Sequence, residues 1–128
     1  GVPVPGVDMK IVDVDDCEKE LGPNQSGEMA IKGPNVTQGY WNRSDEENAA
    51  CYTKDGYFLT GDIGYMDEDG WFFIVDRKKD LILSGGFNVH PLTIENAIHQ
   101  HPDVLEAMVI GVPDAYRGES AKAFASPL

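Results

Sequence analysis

The chain has 128 residues, and its 22 acidic and 10 basic side chains give a formal net charge of −12 at pH 7. This charge argues against nucleic acid and anionic membrane surfaces as partners, and no run approaches the roughly 20 apolar residues that a membrane span requires. With 41% hydrophobic and 25% charged residues, the composition is that of a soluble protein with a real core, organised as one domain or as pieces of two.

The charge is unevenly distributed along the chain. Residues 1–76 carry 16 acidic and 5 basic side chains, whereas residues 77–128 carry 6 and 5. Three of the five later cations are adjacent, at Arg77, Lys78 and Lys79. In an acidic protein such a cluster indicates either a contact with a small anion or a solvated basic turn, and charge alone leaves both readings open.

The two cysteines, Cys17 and Cys51, lie far apart and have no neighbouring metal ligands. This favours thiols in a reducing cytosol over a disulfide, so we expect a cytoplasmic protein. The chain enters at Gly1 on strand-like sequence and ends at Leu128 just as another strand begins. We therefore expect it to be a piece of a longer protein.

The first half of the chain has the pattern of a β-rich scaffold. Apolar side chains alternate over Met9–Val14 and again over Gly27–Gly33, which predicts two half-buried strands. The polar stretch Asp15–Gln25 between them is rich in turn residues. Ser44 is a good N-cap for a short helix, because the acidic residues 45–47 then lie in its first turn.

The clearest element is a hairpin formed by Gly56–Met66 and Trp71–Val75. Asp69-Gly70 is a strong turn dipeptide, and both arms are rich in aromatic and β-branched residues. The acidic run Asp67–Asp69 does not continue into the spacing of an EF-hand. It therefore predicts turn chemistry rather than a calcium site.

The last third of the chain predicts a small α+β unit. Leu81–Leu83 is typical of a short strand that stops at Gly85-Gly86, and Pro91 suits the first position of a helix that must end before Pro102. We expect this helix to bury the apolar face Ile94, Ala97 and Ile98. We expect His99 and His101, near the end of this helix, to be surface residues rather than ligands. Two strands follow: Val104–Val112 and Ala121–Ala125.

Three features could carry chemistry. Asp62 is expected at a strand end, where a carboxylate can accept both hydroxyls of a ribose or else bond its own turn backbone. Arg77 offers a planar fork of donors suited to a diol or a phosphate, although a surface ion pair with a neighbouring aspartate is the alternative. Gly85-Gly86 permits close approach of the backbone to a ligand, and equally a plain tight turn.

Three ordered stretches together carry a family resemblance: GEMAIKGPNVTQGYW, YFLTGD and GWFFIVDRKKDLILSGGFNVHPLTIE. In this order and spacing they resemble the adenylate-forming (AMP-binding) superfamily of acyl-CoA synthetases, luciferases and peptide-synthetase adenylation domains. The Asp-Arg-Lys-Lys-Asp form and the Asn-Val-His-Pro helix entry are most similar to bacterial long-chain fatty acid–CoA ligases. The resemblance covers essentially the whole chain.

The resemblance implies a role for each candidate residue. Asp62 matches the residue that holds the ribose hydroxyls of ATP and AMP, and Arg77 matches an arginine that contacts the same ribose. Lys79 matches the hinge position, and Gly85 and Gly86 match a loop along the pantetheine path of CoA. It also implies the two steps of the family, in which a carboxylate and ATP form an acyl-adenylate before the small domain swings and CoA displaces AMP.

The resemblance further implies where this chain lies in such an enzyme. Residues 1–76 match the last, barrel-like part of the large domain, residues 77–128 match the first half of the small C-terminal domain, and the hinge lies at 76–80. The phosphate loop, the Mg²⁺ site and the acyl tunnel belong upstream and the catalytic lysine downstream, since Lys122 does not match it. We therefore expect no metal site within the chain and no activity from the chain alone.

The expected function is that of an AMP-forming acid–thiol ligase that uses ATP, CoA, Mg²⁺ and a fatty acid. Its location is expected to be cytoplasmic, with peripheral association to the inner face of the membrane left open. One alternative is another acid-activating enzyme that takes a different acyl group or a carrier-protein thiol. The other is a non-catalytic β-rich interaction module in which Asp62 and Arg77 pair only with their neighbours.

Overall fold

The computed structural model describes residues 1–128 and divides into two compact units, Gly1–Ile74 and Val75–Leu128. Each unit contains one four-stranded sheet, and helices are short and few. The predicted α+β class is confirmed. The division between residues 76 and 77 and the hinge at 76–80 stay predictions about the parent protein.

The sheet of the first unit has the strand order β1-β2-β3-β4. Its strands are β1 (Asp8–Val12), β2 (Gly27–Lys32), β3 (Phe58–Met66) and β4 (Phe72–Arg77), of which the last runs on into the second unit. β1 pairs antiparallel with β2, and β2 with β3. Because β1 and β4 occupy opposite edges, the sheet is open, and the expected barrel-like part does not close into a barrel within this chain.

The core of the first unit lies on one face of this sheet and is formed by Ile11, Met29 and Phe72. The opposite face is also covered, because Val12, Ile63 and Ala30 are buried. Strand β2 is therefore buried on both faces over its first four residues. The alternating pattern correctly predicted a strand but not this second buried face.

Local signals in the first unit are confirmed. The hairpin between β3 and β4 turns through Gly70, whose φ is +83°, and the Asp67 carboxylate accepts the N–H groups of Asp69 at 3.0 Å and Trp71 at 2.8 Å. The short helix α1 (Asp45–Ala49) begins after Ser44, whose hydroxyl accepts the N–H of Glu47 while the Glu47 carboxylate accepts the N–H of Ser44.

The second unit has the strand order β6-β5-β8-β7. Its elements are β5 (Ile82–Ser84), β6 (Phe87–Val89), α2 (Pro91–Ile98), β7 (Val104–Asp114) and β8 (Gly118–Pro127), after a 3₁₀ turn at Lys78–Asp80. The β7–β8 hairpin extends the two predicted strands and pairs them over their whole length. Strand β6, which lies between the Gly85-Gly86 turn and α2, was not predicted.

Helix α2 protects the free edge of β7 with two side chains. The Glu95 carboxylate accepts the N–H of Val109 at 2.8 Å, and His99 Nε2 accepts the N–H of Ala107 at 3.2 Å. These bonds use two edge donors that a second chain could otherwise pair with. The predicted apolar face of α2 is only partly right, because Ala97 is exposed whereas Ile94 and Ile98 are half-buried.

Two further expectations concern the side chains and the membrane. Cys17 and Cys51 are free thiols, as predicted. His99 and His101 are exposed, also as predicted, although His99 takes part in the edge contact of β7. No helix of the structure has both the length and the apolar character needed to cross a bilayer.

Candidate functional site

Asp62 lies on a bulge in the middle of β3. On β2, Ala30 pairs with Leu59 and Glu28 pairs with Ile63, so Met29 alone faces the three residues 60–62. Two extra residues on one strand lift it out of the regular ladder and re-aim its side chains. The expectation that Asp62 sits at a strand end is therefore wrong, because the strand continues to Met66.

Three hydrogen bonds hold the bulge to β2 and to itself. The Thr60 hydroxyl donates to the carbonyl of Met29 at 2.8 Å, and the N–H of Asp62 donates to Thr60 Oγ1 at 3.1 Å. The N–H of Gly61 donates to Glu28 Oε1 at 3.0 Å. Gly61 has a φ of +75°, a left-handed conformation that costs a residue with a Cβ energy, so the Thr-Gly-Asp order matches the shape of the backbone.

Glu28 is not among the residues that the sequence predicts to be functional. It is only 3% exposed, and it is the one charged side chain among the buried residues. Its alternating position in β2 predicted a strand residue and nothing more. The signal that could have identified Glu28 was the acidic residue itself, because a carboxylate inside an apolar strand needs a hydrogen-bond donor elsewhere in the fold.

The segment before α2 is organised by Asp76. Its Oδ1 accepts the N–H of Arg77 at 2.8 Å, and its Oδ2 accepts the N–H of Leu92 at 3.3 Å. Leu92 follows Pro91, the first residue of α2, and the N-cap residue His90 makes no side-chain cap. Asp76 therefore supplies from a distance the carboxylate that a helix N-terminus favours, a role that the sequence did not reveal.

Lys79 lies in the 3₁₀ turn and lines a groove of about 480 Å³ within the second unit. The groove is also lined by four acidic residues: Asp76, Asp80, Glu95 and Glu119. Lys79 is therefore a cation among carboxylates. Glu119 is engaged with the backbone, since its Oε2 accepts the N–H of Leu83 at 2.8 Å. The hinge role of Lys79 stays a prediction.

Gly85 and Gly86 form the two-residue turn between β5 and β6, with Ser84 paired to Phe87. Their φ values are +58° and +84°, and no atom lies within 4 Å of either Cβ position. The glycines are therefore required by the backbone conformation of a tight hairpin rather than by crowding. The open space leaves room for the predicted approach of a ligand, which stays a prediction.

The structure distributes the remaining candidates between the units. Arg77 is an exposed residue at the end of β4 in the second unit, close in sequence to Lys79, whereas Asp62 is half-buried in the first unit. Their assigned contacts with a ribose stay predictions. No cluster of three or more His, Cys, Asp or Glu side chains is arranged to hold a metal ion.

A separate polar network lies beside β1 and shifts two pKa values. The Asp55 carboxylate accepts hydrogen bonds from Lys10 Nζ at 2.7 Å and from the Thr53 hydroxyl at 2.6 Å. These bonds lower the pKa of Asp55 to about 2. The Tyr57 hydroxyl donates to Asp8 at 2.6 Å, which raises the pKa of Tyr57 to about 12. The network joins strand β1 to the loop before β3.

Comparison with protein-family models finds two matches. Residues 1–41 match the AMP-binding enzyme family, and residues 93–127 match the AMP-binding enzyme C-terminal domain. The first match lies within the first unit and the second match within the second unit.

Comparison with individual proteins gives relatives that are much longer than this chain. The long-chain-fatty-acid–CoA ligase of Bacillus subtilis (strain 168) is 47% identical over 97% of the chain, and the 2-succinylbenzoate–CoA ligase of Geobacillus kaustophilus (strain HTA426) is 49% identical over 83%. The chain spans 22% and 21% of their lengths. The crystal structure of ATP-bound MatB from Rhodopseudomonas palustris matches 98% of the chain at 44% identity and a TM-score of 0.91, and the chain covers 24% of it.

Proposed function

This chain belongs to the AMP-binding enzyme superfamily, and we propose on that premise that it is part of an ATP-dependent, AMP-forming acyl-CoA ligase located in the cytoplasm. In the first step, a substrate carboxylate oxygen bonds to the α-phosphorus of ATP and pyrophosphate leaves. In the second step, the thiol of CoA gives up its proton, its sulfur bonds to the acyl carbon, and AMP leaves with the electron pair of the broken C–O bond. In this proposal, residues of the longer protein that lie outside this chain contact the ATP phosphates and Mg²⁺.

The observation that carries this proposal is the bulge of β3. It presents a half-buried carboxylate, Asp62, from a backbone that is held by three hydrogen bonds. A carboxylate offers two acceptor oxygens, which suit the two adjacent hydroxyls of a ribose. A rigid support lowers the entropy cost of binding, because the side chain does not have to be ordered by the ligand.

We assign the other candidates to the same reaction. Arg77 has a planar fork of donors that we assign to the ribose, and we assign Lys79, which lies in the 3₁₀ turn, to the hinge position. The Gly85-Gly86 turn has open space on its outer side, which suits the passage of the pantetheine chain of CoA. These roles are supported by the matched motifs and by the exposure of the residues.

We propose a fatty acid as the acyl substrate, on the strength of the Bacillus subtilis relative. The second candidate is a different carboxylic acid, which is favoured by the equally high identity to a 2-succinylbenzoate–CoA ligase. The two are separated by pyrophosphate release from the full-length protein with a panel of fatty, aromatic and short-chain acids. Release with aromatic or short-chain acids alone would reject the fatty acid assignment.

The nucleotide role of Asp62 is tested by Asp62→Ala in the full-length protein. Loss of hydrogen bonds to a charged group costs about 1.5–3 kcal/mol, so the ATP concentration that half-saturates adenylation should rise about ten- to hundredfold. Glu68→Ala is the matched control, because Glu68 is an exposed carboxylate of the β3–β4 turn. An unchanged ATP dependence in a folded Asp62→Ala protein would remove the assignment.

A further inference from the structure

Glu28 occupies a place where a carboxylate is costly. It pairs across the sheet with Val12 on one side and with Ile63 on the other. Directly opposed residues of antiparallel strands share a face, so the Glu28 side chain lies on the same face as two aliphatic side chains that are 0% and 1% exposed. An ionised group in such surroundings requires strong hydrogen bonds, and an apolar side chain of similar size would avoid the cost altogether.

An apolar side chain could not accept a hydrogen bond from the N–H of Gly61. Residues 60–62 are lifted out of the β2–β3 register, so the N–H of Gly61 does not take part in the ladder between these strands. Glu28 Oε1 accepts it at 3.0 Å. This bond connects two residues that are 33 positions apart in sequence, and its acceptor is charged, which makes it stronger than a neutral ladder bond.

We propose that Glu28 is a positioning residue for the nucleotide site. Its carboxylate holds the peptide that joins Thr60 to Gly61, one residue before Asp62. With Thr60 tied to the carbonyl of Met29, the bulge is anchored at two successive residues before Asp62. The inference rests on the proposed role of Asp62 in nucleotide binding, but the contact between Glu28 and Gly61 can be measured without any nucleotide.

The first experiment follows backbone amides by NMR in the 128-residue chain. Glu28→Leu removes the acceptor, and we expect exchange of the Gly61 amide to become about tenfold faster or more. Glu28→Gln keeps an acceptor oxygen but loses the charge, so it should retain most of the protection while the Gly61 amide proton moves upfield. Thr53→Val is the control, because Thr53 is the other buried polar residue and does not contact the bulge.

Each outcome of this experiment shows whether the Glu28 carboxylate holds the Gly61 amide. If Glu28→Leu does not fold, Glu28→Gln decides it, because Gly61 must then show the largest change among the β3 amides. A Gly61 amide that changes no more than its neighbours in Glu28→Gln overturns the inference. An equal loss of Gly61 protection in Thr53→Val and Glu28→Leu also overturns it, because that loss would then reflect general destabilisation.

The second experiment measures ATP affinity in the full-length protein. Glu28→Leu should weaken ATP binding by about tenfold, Glu28→Gln should largely restore it, and neither should have a further effect in an Asp62→Ala background. If Asp62→Ala leaves ATP affinity unchanged, the proposed function fails while the amide experiment still decides the contact. If Asp62→Ala weakens binding but Glu28→Leu does not, the positioning role alone is rejected.

Discussion

Gly61→Ala tests whether the bulge depends on a left-handed backbone. Gly61 has a φ of +75°, and no atom lies within 4 Å of its Cβ position, so an added methyl group meets conformational strain without a steric clash. A left-handed conformation costs a residue with a Cβ about 1–2 kcal/mol. We expect Gly61→Ala to lower the free energy of unfolding of the first unit by about this amount.

Two further substitutions separate strain from other effects of a side chain. Gly22 also has no atom within 4 Å of its Cβ position, but its φ lies outside the left-handed range. Gly22→Ala should therefore leave the stability unchanged or raise it by about 0.4–1 kcal/mol, because alanine restricts the unfolded chain. Gly61→Asn should cost less than Gly61→Ala, because asparagine adopts the left-handed conformation more readily than alanine.

Urea unfolding followed by tryptophan fluorescence measures these differences. Both tryptophans of the chain, Trp41 and Trp71, lie in the first unit, so the signal does not report on the second unit. Trp41 is 98% exposed and Trp71 is 50% exposed, and the change on unfolding therefore comes mainly from Trp71. Equal losses of stability in Gly61→Ala and Gly22→Ala would refute the dependence on a left-handed residue.

Two other predictions concern the hinge and the acid stability of the first unit. Lys79→Pro in the full-length enzyme should spare one half-reaction and slow the other severely, because proline fixes φ at about −65° and restricts the preceding residue. The pre-steady-state rates of adenylate formation and of CoA transfer measure the two half-reactions separately. Equal falls in both rates would contradict a hinge at Lys79. The pKa of Asp55 is lowered to about 2, so its contribution to stability is present above its unfolded value of about 3.9 and is lost as the pH falls towards 2. Lys10→Met should flatten this loss in acid unfolding curves, and an unchanged slope would show that the Lys10 contact does not set it.

Features encoded within a few neighbouring residues could be predicted from the sequence. The β3–β4 hairpin follows from Asp69-Gly70, and the start of α1 follows from the Ser44 cap, because both depend on bonds between residues that are adjacent or a turn apart. Helix α2 begins at Pro91, as predicted. The ordered motifs also identified the superfamily, because they span most of the chain.

Features that depend on which strands meet could not be predicted in this way. The position of Asp62 in the middle of β3 follows from the register between β2 and β3, and no local pattern reports a bulge that is created by pairing. The cap of α2 by Asp76 and the cover of the β7 edge by Glu95 and His99 join residues that are separated by 8 to 16 positions.

The case of Glu28 shows the physical reason most clearly. Read along β2, it is one polar residue in an alternating strand, for which solvent is the default environment. The tertiary structure instead buries it beside Val12 and Ile63, and one hydrogen bond that it accepts there comes from an amide 33 residues later in the chain. Local sequence determines which bonds are available within a turn, but only the folded sheet decides which distant donor meets a buried acceptor.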